Sequence, residues 1–235
     1  MTNKPKQLPS KSTRSEIDAF LRKVAATSAP RSRNQRGRLL FAMDATASRG
    51  PTWDRACHIQ SEMFTETSAL GGLDIQLCYY RGFREFHSSP WLSSGKDLLA
   101  IMSRVRCAGG ITQITRVLRH AIAESKRAKI DAVVFIGDCM EEDVDRLAHT
   151  AGELGLRGVP VFVFQEGFEP IAEQSFRDIA RLTRGAYCRF DAGSAQQLRD
   201  LLGAVAVYAA GGRRALQDFS RGKQGVVPLL SSQIK

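Results

Sequence analysis

The sequence predicts an α/β fold, in which a doubly wound and mostly parallel sheet carries helices on both faces. Two observations predict it. Short apolar segments typical of buried strands alternate with longer segments in which apolar residues recur at helical spacing. The chain also has 235 residues, of which 43% are hydrophobic, and this is enough for one sizeable core.

The strands are the clearest elements of this pattern. Residues 39–44 and 131–137 are apolar runs of the kind that parallel sheets bury on both faces. Residues 73–80 alternate between apolar and polar side chains, and after an Arg-Gly turn residues 83–86 are expected to return as an antiparallel edge strand. The other predicted strands are 159–164 and 185–190.

The predicted helices lie between these strands. Their spans are 52–69, 95–104, 112–127, 141–155, 171–184 and 194–210. Glu141, Glu142 and Asp143 are expected in the first turn of the helix at 141–155, where acidic side chains stabilise the positive end of the helix dipole.

Composition divides the chain into three parts. Residues 1–36 form a basic, partly disordered N-terminal arm with one short helix, residues 37–210 form the folded domain, and residues 211–235 form a loose tail. The net charge is +10, and residues 1–38 carry +8 of it. The basic character therefore belongs to the arm and not to the folded domain.

Several classes of protein are excluded or disfavoured. No run of 18 apolar residues is present, so we expect no membrane span, and the first residues lack the apolar stretch of a secretory signal. The five cysteines lie far apart without a CxxC pair, so we expect buried, reduced thiols and neither a disulfide framework nor a zinc ribbon. These features predict a cytoplasmic protein.

Polar side chains follow two of the predicted strands. Asp44 ends the first strand and is followed by Thr46 and Ser48 at alternate positions, and Asp138 follows the apolar run that begins at residue 131. Thr112 lies between them in the sequence, after a Gly-Gly pair. Because ligands of such sheets bind beyond the carboxyl ends of the strands, where the strand order reverses, these side chains are expected to meet at one place.

The expected cluster contains only oxygen donors, two carboxylates and three hydroxyls. Such ligands suit a hard divalent cation, with Mg²⁺ first and Mn²⁺ or Ca²⁺ as alternatives. Hydroxyl ligands are neutral, so the ion would stay electrophilic and could take an acidic group from elsewhere. The competing interpretation is that Asp44 caps the segment after it and that Thr46 and Ser48 are ordinary turn residues.

Together these motifs resemble the three loops of the metal-ion-dependent adhesion site (MIDAS) of von Willebrand factor A-type (vWA) domains. The matching segments are Asp44-Ala45-Thr46-Ala47-Ser48, Gly109-Gly110-Ile111-Thr112 and Gly137-Asp138. Over about residues 37–210 the chain is similar to the stand-alone cytosolic form of this domain in bacteria. The resemblance implies a six-stranded sheet with one antiparallel edge strand.

The resemblance also implies roles for individual residues. Thr46, Ser48 and Thr112 would hold the metal through their hydroxyls, and Asp44 and Asp138 would act directly or through water. A protein partner with an exposed Asp or Glu would complete the coordination of the metal. The third loop departs from the family pattern, because Cys139 stands where many members have glycine, and this changes the rim that a partner would meet.

Two other functions are weighed against this metal-dependent interaction module. A Mg²⁺-dependent phosphoryl-transfer hydrolase would need a nucleophile or base near the metal, but Thr46 stands where a dehalogenase-type phosphatase has Asp, and neither a Walker motif nor a Gly-x-Ser-x-Gly elbow is present. The sequence therefore favours a protein that is not an enzyme. A nucleic-acid-associated scaffold would use residues 1–38, although a solvated tail explains the same charge.

Overall fold

The computed structural model describes residues 14–26, 36–50, 72–190 and 195–222. Within these ranges the strands are β1 (Gly37–Asp44), β2 (Leu73–Arg81), β3 (Glu85–Ser88), β4 (Ala132–Gly137), β5 (Val161–Glu166) and β6 (Ala186–Phe190). The helices are α1 (Arg14–Ala26), α2 (Gly95–Met102), α3 (Ile114–Arg127), α4 (Val144–Leu156), α5 (Pro170–Leu182) and α6 (Ala195–Gly222). The predicted helix at 52–69 falls outside the described residues.

The six strands form one sheet in the order β3-β2-β1-β4-β5-β6. All neighbouring strands are parallel except β3, which pairs with β2 in the antiparallel sense. The predicted fold class is therefore confirmed. The chain moves outward from β1 through β2 to β3 and then crosses to β4 on the other side of β1, so the strand order reverses between β1 and β4.

Helices cover both faces because each central strand is apolar on both sides. On β1, Leu39, Phe41 and Met43 face one core, which is completed by residues from α1, α2 and α6. Leu40 and Ala42 face the other core, which is completed by residues from α3, α4 and α5. This two-sided burial explains why β1 and β4 appear in the sequence as continuous apolar runs.

Helix α1 packs on the folded domain although it belongs to the predicted N-terminal arm. It lies against α6 and β6, and Phe20 and Val24 are fully buried in the core that also contains Phe41 and Met43. The Phe20 ring centroid lies 5.2 Å from that of Phe164. The arm therefore contributes side chains to the core, a role that its basic composition does not suggest.

Several element boundaries differ from the sequence prediction, among them those of the edge strand and the last helix. The edge strand spans Glu85–Ser88 and not 83–86, because Gly82 has a left-handed φ of 59° and the turn that it begins extends to residue 84. The last helix was expected to end near 210, but helical structure continues to Gly222 with a break at Gly212, where φ is 70° and ψ is −165°. The expectation of a loose tail from residue 211 is therefore wrong for the helical part.

None of the helices in the described ranges combines the length and the hydrophobicity that crossing a lipid bilayer requires.

Candidate metal centre

Asp44 lies at the carboxyl end of β1, beside the point where the strand order reverses. The parallel register sets Met43 beside Ile136 of β4 and Asp44 beside Tyr80 of β2. This position makes Asp44 fully buried although its side chain is ionisable. The crevice beyond the ends of β1 and β4 is where sheets of this type bind ligands.

Both carboxylate oxygens of Asp44 accept hydrogen bonds. The backbone N–H of Thr46 donates to Oδ1 at 2.7 Å, and the Tyr80 hydroxyl donates to Oδ2 at 3.0 Å. The first bond is the local turn that the competing interpretation expected. Burial raises the pKa of Asp44, and although the hydrogen bonds from Thr46 and Tyr80 oppose this shift, the nearby carboxylate of Asp138 adds to it.

The first loop continues with the two hydroxyls that the sequence singled out. The hydroxyl oxygens of Thr46 and Ser48 lie 3.1 Å apart, within hydrogen-bond distance of each other. A short 3₁₀ turn, Ala47–Arg49, produces this approach. The Ala108 N–H donates to the Ala45 carbonyl at 3.1 Å, so the second loop begins alongside the first.

Asp138 follows β4 on the other side of the crevice. Its Oδ1 atom is buried and, within the described part of the chain, accepts no hydrogen bond. A buried carboxylate oxygen without a donor is costly unless a cation or water satisfies it. This oxygen is therefore available to a ligand.

Thr112 is tied to the third loop. The Glu141 N–H donates to the Thr112 hydroxyl at 3.0 Å, and the Thr112 N–H donates to the Glu141 carboxylate at 3.1 Å. Since a hydroxyl oxygen has two lone pairs, one stays available for a cation. Of the five predicted ligands, the structure joins Asp44, Thr46 and Ser48 directly, and it places Asp138 and Thr112 on the two neighbouring loops.

The sequence predicted that Glu141 and Glu142 stabilise the start of α4, but in the structure they do not lie in that helix. The Glu142 carboxylate accepts from the backbone N–H groups of Ile114 and Thr115, so it caps α3. The N-cap of α4 is Asp143, which accepts from the Arg146 N–H at 2.7 Å. The prediction is wrong for the two glutamates because α4 begins three residues later than expected, which leaves them free to reach the neighbouring helix.

The second loop is also held against the β2–β3 turn. The buried Gln113 amide donates to the carbonyls of Arg81, Gly82 and Glu85 at 3.2 to 3.5 Å. Gly110 lies so close to this turn that an added Cβ would be 2.0 Å from the Gly82 carbonyl oxygen. These contacts fix the backbone that leads into Thr112. No motif in the sequence predicts them.

Arg49 is the residue at this site that sequence reasoning missed. It follows Ser48 directly, and its side chain is only 1% exposed and forms an ion pair with Glu166 at the end of β5. Burial lowers the pKa of Arg49, while the carboxylates of Asp138 and Asp44 act in the opposite direction. Arginine is almost never buried unless it is paired, so its type and position gave no signal.

The cysteine beside the site has no sign of an activated thiol. Burial raises the pKa of Cys139, and the carboxylates of Glu141 and Asp138 raise it further, which disfavours the reactive thiolate. Cys78, Cys107, Cys139 and Cys188 are all free thiols. Cys78 and Cys188 are buried as expected, but Cys107 and Cys139 are only half-buried.

The donor set fits a hard divalent cation. It offers the Asp138 oxygen that lacks a donor, two adjoining hydroxyls and the Asp44 carboxylate, all of them oxygen ligands. In the described residues no group of three or more His, Cys, Asp or Glu side chains is arranged to hold a metal. The fit therefore depends on the hydroxyls of Thr46, Ser48 and Thr112 as much as on the two carboxylates.

Solved structures with a similar fold include vWA domains. The chain aligns with the VWA domain of SpRpn10 at 12% identity and a TM-score of 0.58, over 72% of this chain and 94% of that one. It aligns with the vWF domain of the type V pili tip protein Mfa5 from Porphyromonas gingivalis at 10% identity and a TM-score of 0.55, over 83% of this chain and 98% of that one.

A third similar structure is proximal thread matrix protein 1 from the mussel byssus, described with a zinc-occupied MIDAS motif. Its identity is 16% and its TM-score 0.58, over 78% of this chain and 46% of that one. No protein-family model matches the sequence, and no curated protein matches it as a relative. Identities this low show the fold alone, and that fold is the vWA type.

Proposed function

We propose that this protein is a metal-dependent interaction module, in which a divalent cation held by Asp44, Thr46, Ser48, Thr112 and Asp138 accepts a carboxylate from a partner protein. The bound ion, Mg²⁺ first, would supply a positive centre with an open coordination position. The chain's own residues would orient this centre and leave one side of it open to the partner.

One observation supports the proposal above the others. The buried Oδ1 of Asp138 has no donor among the described residues and stands across the β1–β4 crevice from Asp44. A buried carboxylate oxygen that lacks a hydrogen bond is destabilising by about 1–3 kcal/mol. A bound cation would offset the part of this cost that the nearby Arg49 guanidinium does not. The adjoining Thr46 and Ser48 hydroxyls supply neutral ligands beside it.

The same site gives little support to a hydrolase. The side chains that act most directly on Asp44 are Thr46, Asp138 and Tyr80. Burial holds the pKa of Tyr80 well above its ordinary value, so at neutral pH this hydroxyl donates to Asp44 and does not act as a base. A phosphoryl-transfer enzyme needs a base or nucleophile at the metal, and we therefore propose a binding role without catalysis.

Affinity capture tests the proposed function. Immobilised wild-type protein and Asp44→Ala would each be exposed to native cell lysate, once with Mg²⁺ and once with a chelator, at moderate salt. A protein retained only by the wild type with Mg²⁺ is the expected result. Identical captures in all four conditions would contradict metal bridging. Purified partner with its surface Asp or Glu replaced would then locate the carboxylate.

The charge distribution favours a second, separate candidate, nucleic-acid binding through residues 1–38, which carry +8 of the net +10. Binding of this kind weakens steeply with salt because released counterions drive it. An electrophoretic assay with a generic duplex at two salt concentrations tests it. Loss of binding when the basic residues on both sides of α1 (Lys4, Lys6, Lys11, Arg31 and Arg33) are replaced with Gln is the expected result, and binding that survives these replacements would contradict it.

A further inference from the structure

A buried arginine lies inside the candidate metal centre. The Arg49 guanidinium is 1% exposed and pairs with Glu166, whose side chain is 13% exposed. Arg49 leaves the chain just after β1, whereas Glu166 ends β5, and β4 lies between these two strands in the sheet. The arginine side chain therefore reaches across the end of β4, where Asp138 is located.

Three carboxylates surround the single positive charge of Arg49 at this edge of the sheet. Asp44, Asp138 and Glu166 follow or end three adjacent strands, and Arg49 acts electrostatically on the first two as well as pairing with the third. At neutral pH arginine keeps its charge. If all three carboxylates are ionised, the cluster has a net charge of −2, which equals in size the charge of a divalent cation.

We propose that Arg49 is an internal counter-ion of the metal site, which stabilises the carboxylate cluster without metal and weakens the binding of divalent cations. The inference rests on the proposed metal site. A guanidinium that already attracts Asp138 reduces the negative potential that a metal would meet in the crevice. Arg49 thus sets the concentration range over which the site responds to Mg²⁺.

A charge-matched set of variants tests this role. Arg49→Met removes the positive charge and keeps much of the side-chain volume, Glu166→Gln removes the opposing negative charge, and the double variant restores the net charge of the wild type. Isothermal titration with MgCl₂ and with MnCl₂ would give the dissociation constants. Thermal unfolding in chelator would report the stability of the metal-free state. Asp44→Asn serves as the variant without a site.

Charge alone predicts the order of affinities. Arg49→Met should bind Mg²⁺ at least about tenfold more tightly than the wild type, and Glu166→Gln several-fold more weakly, since near charges act strongly where water is excluded. The double variant should return to within about threefold of the wild type. In chelator Arg49→Met should unfold at a lower temperature than the wild type, because three carboxylates are left without their cation.

The possible failures are distinguishable. Equal Mg²⁺ affinity in the wild type and Arg49→Met, with none in Asp44→Asn, would overturn the counter-ion role and leave the metal site standing. No binding in the wild type or in Arg49→Met would overturn both. If Arg49→Met does not fold, Glu166→Gln decides the matter, because an unchanged affinity in that variant contradicts the electrostatic role.

Discussion

Glu141 and Thr112 hold each other by two hydrogen bonds that run in opposite directions between backbone and side chain. The Glu141 N–H donates to the Thr112 hydroxyl at 3.0 Å, and the Thr112 N–H donates to the Glu141 carboxylate at 3.1 Å. The second and third loops of the candidate metal centre are therefore fixed to each other. The position of Thr112 consequently depends on Glu141, a residue outside the five proposed ligands.

Gly110 and Gly109 offer a matched pair for testing this dependence. An added Cβ at Gly110 would be 2.0 Å from the Gly82 carbonyl oxygen, whereas one at Gly109 would meet nothing within 4 Å. Gly110→Ala should destabilise the protein by about 2 kcal/mol or more, as overpacking against backbone does, and weaken Mg²⁺ binding. Gly109→Ala should change neither by much. Equal effects of the two variants, measured by denaturant unfolding and calorimetry, would refute the close approach.

Gln113 should stabilise the fold through its buried amide. Replacing it with alanine removes the donor to the carbonyls of Arg81, Gly82 and Glu85, and the loss should destabilise by about 1–3 kcal/mol. Gln174→Ala is the control, because the Gln174 amide makes one exposed bond to Asp178. Urea unfolding measures the free energy of unfolding of both variants. If Gln113→Ala lowers it no more than Gln174→Ala does, the stabilising role of the Gln113 amide is contradicted.

Asp44→Asn should remove metal binding without destabilising the metal-free protein at neutral pH. Burial raises the pKa of Asp44 above its unfolded value, so the folded state binds the proton more tightly. The contribution of Asp44 to stability is therefore greatest at low pH and falls as the pH rises from the unfolded pKa to the higher folded one. Asparagine keeps an oxygen for the Thr46 N–H and has no proton to lose.

Urea unfolding in chelator from pH 3.5 to 7.5 measures this effect. The stability of Asp44→Asn relative to the wild type should increase as the pH rises through that window. A relative stability that is flat, or that decreases with pH, would show that the Asp44 pKa is not raised. The difference between the two proteins cancels the titration of groups that they share.

Phe20 should show that α1 is part of the folded core. Its side chain is buried against Phe162 and Phe164, so Phe20→Ala should destabilise by about 3–5 kcal/mol. Phe83→Ala is the control, since Phe83 is 73% exposed. A cost for Phe20→Ala below about 1 kcal/mol would indicate that α1 leaves the domain in solution.

Most of the fold could be predicted because strand and helix periodicities are local properties of the sequence. The two-sided apolar runs at β1 and β4 identified the central parallel strands, and the polar residues after them marked the edge where a ligand would bind. A short helix was predicted in the N-terminal arm, but its packing on the core was not, because contacts between distant segments leave no local pattern.

The parts of the site that could not be predicted depend on register and on long side chains. Tyr80 reaches Asp44 only because the parallel register sets them side by side. Arg49 and Glu166 meet across the end of a third strand, and Glu142 caps a helix that precedes it by 28 residues. None of these contacts follows from residue type or spacing.

The central claim, a divalent-cation site that requires Asp44, is tested most directly by thermal unfolding with increasing Mg²⁺. The comparison, made after removal of metal by chelator, includes the wild type, Asp44→Ala and the control Asp97→Ala. The control removes a carboxylate from the first turn of α2. The unfolding temperatures of the wild type and Asp97→Ala should rise with Mg²⁺. At a Mg²⁺ concentration 100 times the dissociation constant, the bound ion adds about 2.7 kcal/mol to the free energy of unfolding. That of Asp44→Ala should not change. Equal stabilisation of Asp44→Ala by Mg²⁺ would contradict the assignment of the site.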